Sequence, residues 1–285
     1  MSDIKLIECP RDAMQGLHDF IPTDTKAKYI NQLLKVGFDT VDFGSFVSPK
    51  AIPQLRDTEE VLSKLDLSTT TSKLLAIVAN QRGAEDACKF EEIDYLGFPF
   101  SISETFQQRN TKSSIEESLG RVESIQDLAI KSKKKLVVYV SMAFGNPYGD
   151  EWNAEIAIKW SKKLSEMGVE ILALSDTIGA ANPDDIDYLF KNLVPELPNV
   201  EFGAHLHSTP QTVDSKVAAA VNAGCKRFDG AIKGYGGCPM ATDDLTGNMP
   251  TEIMKSYLEG SGLNLGLNNT AFMDSLAMVD GVFPQ

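Results

Sequence analysis

The sequence predicts an α/β protein, a closed (β/α)8 TIM barrel with a short C-terminal helical extension, on three observations. A short apolar run followed by a charged stretch of helical period recurs eight times between Ile4 and Gly262. The first run leads into Cys9-Pro10-Arg11-Asp12, not into the glycine-rich dinucleotide turn of the rival fold, an open doubly wound sheet. No Pro/Gly/Ser linker or low-complexity segment divides the chain. A single domain over residues 1–285 is expected, with the barrel over about 4–262 and the extension over about 263–285.

The elements follow in order. Ile4–Glu8 is the first strand candidate, and the helical period over 24–36 stops at Gly37, where a left-handed cap residue is expected. Thr40–Phe43 is the second strand. Asp57-Thr58-Glu59-Glu60 opens a helix over 57–65, a capping side chain followed by acids against the positive end of the dipole. Strands at Lys73–Val78, Ile93–Phe98 and Leu136–Ser141 alternate with helices over 81–90 and 113–132. A helix over 152–167 ends at Gly168 and leads into Glu170–Leu174. Asn182-Pro183-Asp184-Asp185 starts the helix over 183–193, combining a cap, proline in the first turn and acids. Glu201–His205, a helix over 211–223 closed by Gly224, Arg227–Ile232 and a helix over 251–259 complete the repeat. In the tail, Phe272, Leu276 and Val279 share a helical face, which is expected to pack on the barrel or on a partner subunit.

Composition narrows the function. With 42% hydrophobic and 24% charged residues over 285 positions, the chain can bury a large core without disulfides. The net charge of −13, from 27 basic and 40 acidic residues, argues against a nucleic-acid partner, which would need a basic face. Cys9, Cys88, Cys225 and Cys238 are irregularly spaced without a CxxC pair and read as reduced thiols. No apolar run approaches the roughly 18 residues of a membrane span. Met1–Leu6 runs straight into a strand pattern, so no signal or transit peptide and a cytoplasmic location are expected.

A barrel of this class places its chemistry at the C-terminal ends of the strands. Arg11 and Asp12 follow strand 1, and Asp42, Ser45 and Phe46 lie at the end of strand 2. Asp176 and Thr177 follow strand 6, strand 7 ends in His205-Leu206-His207, and strand 8 is followed by Gly234-Tyr235-Gly236-Gly237-Cys238-Pro239 and then Gly247-Asn248. Side chains two apart on a strand share a face, so His205 and His207 form a chelating pair aimed into the barrel mouth. With Asp12 and Asn248 they make a mixed N/O donor set, suited to an octahedral Mg²⁺ or Mn²⁺ more than to tetrahedral structural zinc. His18 reads as an ordinary loop residue, and Cys9, Cys88 and Cys225 as small buried apolar residues. Cys238 lies where Gly236 and Gly237 let the backbone approach a ligand, so it reads as a proton donor or nucleophile. Lys131-Ser132-Lys133-Lys134-Lys135 falls at the opposite end of the barrel and reads as a solvated charge run.

The stretches Ile7–Asp12, Ser45–Lys50, Ser103–Phe106, Asn110, Ser114–Ser118, Tyr139–Ser141, Ser175–Gly179, His205–His207 and the Gly-Tyr-Gly-Gly-Cys-Pro loop resemble the 3-hydroxy-3-methylglutaryl-CoA lyase family, in order and spacing. Arg-Asp with His-x-His marks the wider superfamily of metal-dependent acyl-CoA lyases and synthases; the Gly-Gly-Cys-Pro loop and Ser45-Phe46-Val47-Ser48-Pro49-Lys50 are more particular to the lyases. The resemblance implies that Asp12, His205, His207 and Asn248 hold the metal, that Arg11 lies against the thioester carbonyl, and that Cys238 is the cysteine of a loop closing the site. It puts Asp42 where the family usually has glutamate, and Gln15 and Asp176 at site positions. It further implies cleavage of an acyl-CoA substrate into acetyl-CoA and acetoacetate, and a homodimer. The base for the substrate hydroxyl is left between Asp12 and His205. The chain departs from the family at Ala13, Met14, Ser208, Lys233, Tyr235 and Met240, changes expected to touch the pocket wall and the loop. A lyase or aldolase acting on a different acyl-CoA or a small hydroxy or oxo acid is the alternative reading.

Overall fold

A computed structural model describes residues 3–237 and 246–283. Eight parallel strands close into a barrel in sequence order: β1 (Lys5–Glu8), β2 (Thr40–Ser45), β3 (Lys73–Ile77), β4 (Tyr95–Ser101), β5 (Lys135–Ser141), β6 (Ile171–Ser175), β7 (Glu201–His205) and β8 (Arg227–Gly230). The barrel closes through β1 and β8, where Ile7 pairs with Asp229. Around it, in chain order, lie α1 (Pro10–Gln15), α2 (Thr23–Leu34), α3 (Thr58–Ser63), α4 (Gln81–Ala87), α5 (Glu104–Thr111), α6 (Ile115–Lys131), α7 (Ala154–Glu166), α8 (Pro183–Glu196), α9 (Val213–Asn222), α10 (Thr251–Gly260) and α11 (Asn269–Met278). Among the described residues no helix is long and apolar enough to cross a membrane.

The expected strands and the eight expected helices of the repeat are present, with ends shifted by a few residues. Gly37, Gly168 and Gly224 take φ of +83°, +84° and +93°, as caps require. Asn182 accepts a hydrogen bond from Asp185 N at 2.9 Å and caps α8. Asp57 does not cap α3. Its carboxylate turns to Lys26 Nζ (2.7 Å) and Thr23 Oγ1 (2.8 Å), because a buried ammonium on the adjacent helix is the stronger partner. Two short helices were not anticipated. Pro10–Gln15 turns immediately after β1, and Glu104–Thr111 is too short and polar to show an apolar stripe.

Lys134 also departs from the expected solvated run. It is 7% exposed, and its ammonium bonds the carbonyl oxygens of Phe90 (2.6 Å) and Ile93 (2.7 Å) ahead of β4. In the extension, Phe272 packs edge-on against Phe38 (6.4 Å between centroids), and the Ala271 carbonyl accepts from Gln32 Nε2 at 3.0 Å. The tail is thereby seated on α2.

The barrel interior is a small layered core of Leu75, Ile77, Val137, Tyr139, Ile171 and Ala173. Its lower end is plugged by Arg227, which is fully buried and donates to Glu201 at 3.1 Å. The register of β2 against β3 slips between Asp42 and Gly44: Asp42 pairs with Leu75 and Ser45 with Ile77, both partners pointing inward. This bulge puts two residues three apart on one face, so Asp42 and Ser45 both face the barrel axis. Gly44 is thereby turned outward against α3, where a Cβ would lie 2.5 Å from Thr58 Cγ2.

Candidate active site

A cavity of about 160 Å³ opens at the C-terminal ends of the strands. Arg11, Asp12, His205 and His207 form its polar side, with Gln15, Ser45 and Thr177; Val47, Ile77, Pro99 and Phe106 form its apolar side.

α1 begins directly after β1, with Pro10 in its first turn, and one turn of helix brings Arg11, Asp12 and Gln15 together. Asp12 Oδ1 accepts from Arg11 Nη1 (2.9 Å) and Gln15 Nε2 (2.6 Å), and Oδ2 accepts from Asn248 Nδ2 (2.7 Å). Burial works against the Asp12 charge, but Arg11 and the two histidines overcome it and hold the carboxyl below its usual range.

Asp42 is fully buried and accepts from Arg11 through both Nε and Nη2, a fork that fixes the guanidinium plane. Gln15 Oε1 takes a further Arg11 N–H at 3.0 Å. Burial raises the Asp42 carboxyl against the pull of Arg11, while the two carboxylates beside Arg11 outweigh burial and keep it charged. Of the five guanidinium N–H groups these contacts leave one, on Nη2, without a partner among the described residues.

His205 closes β7, and its Nδ1 lies 3.0 Å from Asp229 Oδ2 on β8. With a carboxylate as partner, Nδ1 carries the proton and Nε2 is the ring's free donor atom for an ion or acceptor for a proton. Burial disfavours the charged ring, but the bond to Asp229 outweighs it and raises the pKa. His207 goes the other way, held down to about 4 by burial and then by the neighbouring His205. Its Nδ1 is buried without a hydrogen-bond partner among the described residues. Ligand atoms of Asp12, His205 and His207 lie within 4.8 Å of one another, a spacing one divalent ion can bridge. Asn248 joins them through Asp12 and also donates Nδ2 to Tyr235 O (2.9 Å). Both partners are pure acceptors, so Nδ2 is placed on their side and Oδ1 is the ligand atom left over.

The remaining predicted residues are dispersed. Ser45 lines the cavity, and its Oγ accepts from Val47 N at 3.1 Å. Thr177 lines it as well, its Oγ1 accepting from Met142 N at 2.9 Å. Asp176 does not line the cavity: its two oxygens are engaged by Lys216 Nζ (2.7 Å) and Ala181 N (3.0 Å), which pin the loop after β6. Gly236 backs the site, since a Cβ there would meet Asn248 Nδ2 at 2.6 Å and Asp12 O at 2.9 Å, and Gly237 follows at φ +130°. Cys238 and Met240 lie outside the described residues. Lys233 and Tyr235, expected at the pocket, turn to the tail instead. Lys233 pairs with Asp280, and Tyr235 stacks on Phe283 with centroids 4.7 Å apart. Ala13 and Met14 belong to the core. His18 is exposed and does not line the cavity.

Two acids were missed by sequence reasoning. Asp229 holds His205, and Glu8 accepts from Ile232 N (2.9 Å) and Thr251 Oγ1 (2.7 Å), tying β1 to the β8 loop and α10. The available signal was an acid inside each of two apolar strands, where only a buried partner allows it.

The sequence model of the HMGL-like family matches residues 4–279. A hydroxymethylglutaryl-CoA lyase of Bacillus subtilis is 36% identical over 250 residues, 88% of this chain and 83% of that protein. A crystal structure of the Bacillus subtilis HMG-CoA lyase superposes with a TM-score of 0.91 at 31% identity, covering 99% of this chain and 94% of the other. The structure of an HMG-CoA lyase from Acinetobacter baumannii in complex with coenzyme A and 3-methylmalate gives 0.90 at 28% identity, over 98% and 90%.

Proposed function

This chain belongs to the HMGL-like family, and on that premise we propose that it cleaves 3-hydroxy-3-methylglutaryl-CoA into acetyl-CoA and acetoacetate, with Asp12, His205, His207 and Asn248 holding Mg²⁺ or Mn²⁺. The observation that carries the reading is the convergence of a fully oriented Arg11 and a mixed N/O donor group on one cavity wall.

The reaction removes a proton from a tertiary hydroxyl, breaks the C2–C3 bond, and protonates the departing thioester enolate. The metal, when bound, supplies a Lewis acid that acidifies this hydroxyl. The remaining Nη2 proton of Arg11 is the donor for the thioester oxygen as charge develops there, and Asp42 and Gln15 hold it without reorganisation. Of the two candidate bases, Asp12 is the weaker, since both its oxygens already accept hydrogen bonds. His205 Nε2 is favoured because Asp229 stabilises the ring once it is charged. Nε2 has a single lone pair, so His205 would serve as base only where Asp12, His207 and Asn248 hold the ion without it. Cys238, on the glycine-flanked loop, is the proposed acid for the enolate carbon.

A cytoplasmic location accords with Cys9, Cys88 and Cys225 being unpaired. The homodimer rests on the family resemblance alone. The test is acetoacetate release from 3-hydroxy-3-methylglutaryl-CoA with Mg²⁺ or Mn²⁺, and again after chelation. Metal-dependent release is expected. Folded, metal-loaded protein that releases none would move the substrate to another acyl-CoA.

A further inference from the structure

Beside the Asp12, His205 and His207 group the barrel holds a second set of donors, which shares His205 and adds Asp229 and Cys9, the last of them unused in the proposed reaction. The Cys9 thiol, a ring nitrogen of His205 and a carboxylate oxygen of Asp229 lie within 4.8 Å of one another. Cys9 is 1% exposed and Asp229 2%. Asp229 Oδ1 is buried and has no hydrogen-bond partner among the described residues. Among the described residues the thiol makes one long hydrogen bond, 3.9 Å to Ile7 O. A buried carboxylate oxygen without a donor is costly, and a cation is one way to satisfy it.

We infer that Cys9, His205 and Asp229 form a second metal site, selective for a thiophilic divalent ion such as Zn²⁺ or Cd²⁺, which competes with the hard ion by taking His205. The donor chemistry sets the selectivity: thiolate, imidazole and carboxylate suit Zn²⁺ and Cd²⁺, while Mg²⁺ discriminates against sulfur. Burial pushes the Cys9 thiol well above its ordinary value, so it rests as a neutral thiol and the ion must displace its proton. That proton leaves to solvent as the S–metal bond forms. The ion takes Nδ1 of His205, the nitrogen facing Asp229, and the ring proton moves to Nε2. An Nε2 that carries a proton cannot ligate an ion at the Asp12 and His207 side, so the two sites exclude one another. The site rests on this geometry and not on which acyl-CoA is cleaved.

The experiment uses the full chain carrying Cys88→Ser and Cys238→Ser, which leaves Cys9 and Cys225 as the only thiols. Metal-free protein is titrated with Cd²⁺ while the ultraviolet thiolate-to-cadmium charge-transfer band is recorded. One equivalent should develop the band, excess Mn²⁺ should shift the titration several-fold to higher Cd²⁺, and Cys9→Ala and Cys9→Ser should abolish it with an unchanged circular dichroism spectrum. Should neither Cys9 variant fold, Asp229→Asn in the same background should shift the titration at least tenfold. A background protein that shows no band, a band that survives in a folded Cys9 variant, or an Asp229→Asn titration that does not move overturns the site.

Discussion

Arg11 and Asp42, 31 residues apart, face each other as a fork: Nε and Nη2 of the guanidinium both donate to the carboxylate, with Nε lying 2.9 Å from Oδ2. The pair is buried, so its worth lies less in net stability than in holding one N–H toward the cavity. The β2 bulge turns Asp42 and Ser45 to the same side, so the acid that aims Arg11 shares a face with a residue lining the cavity.

Asp42→Asn therefore leaves a buried guanidinium with half its fork. Stability is expected to fall by about 3–5 kcal/mol in urea unfolding. In steady-state kinetics kcat is expected to fall roughly 10²-fold with a smaller change in KM, since the contact strengthens as the enolate forms. If only KM rises, Arg11 binds substrate without stabilising the enolate.

Asp229→Asn removes the carboxylate that sets the His205 tautomer. Metal affinity, read by calorimetry on the metal-free protein, is expected to drop by roughly 10–100-fold while the fold is retained. An unchanged isotherm would separate Asp229 from the metal group.

Cys238→Ala or Cys238→Ser is expected to lower kcat by roughly 10²–10⁴, the usual share of a general acid. Gly236 and Gly237, which precede it in sequence, take φ of +99° and +130°. Near-normal turnover in either variant would remove the thiol from the reaction.

Glu8 gives the pH prediction. Burial raises its pKa from 4.5 to about 8, so the folded state keeps it protonated where the unfolded chain ionises it. Its contribution to stability is complete below the unfolded value and is lost as pH rises through the folded one. Glu8→Gln keeps a neutral partner for Ile232 N and Thr251 Oγ1. Relative to wild type, it should gain on the order of a few kcal/mol in denaturation experiments between pH 5 and pH 8. A difference that does not change with pH would show Glu8 to be ionised throughout.

Much of the fold was legible because its signals are local. Each strand is a short apolar run, each long helix has a face of period near 3.6, and Gly37, Gly168 and Gly224 mark helix ends through a backbone preference of their own. α5 was not legible, since Phe106 is its single apolar residue among seven polar ones and makes no stripe. Asp57 misled because capping chemistry is visible in sequence while the competing Lys26 lies on another helix. Lys134 misled in the same way, looking like one of a solvated run until its ammonium is placed on two carbonyls 41 and 44 residues away.

By itself the sequence determined the barrel, the end of it that carries chemistry, and the pairing of His205 with His207 by strand period; the short helix that joins Arg11 and Asp12 to Gln15 was not foreseen. The tertiary structure alone decided what each of these groups is held by. Asp229 on His205, Asp42 on Arg11, Asn248 on Asp12 and Phe283 on Tyr235 are contacts between different strands, loops and the tail. Such contacts depend on barrel register and on one bulge, and a one-residue slip would turn each of those strand side chains away from the axis. Periodicity along a chain carries no information about that register.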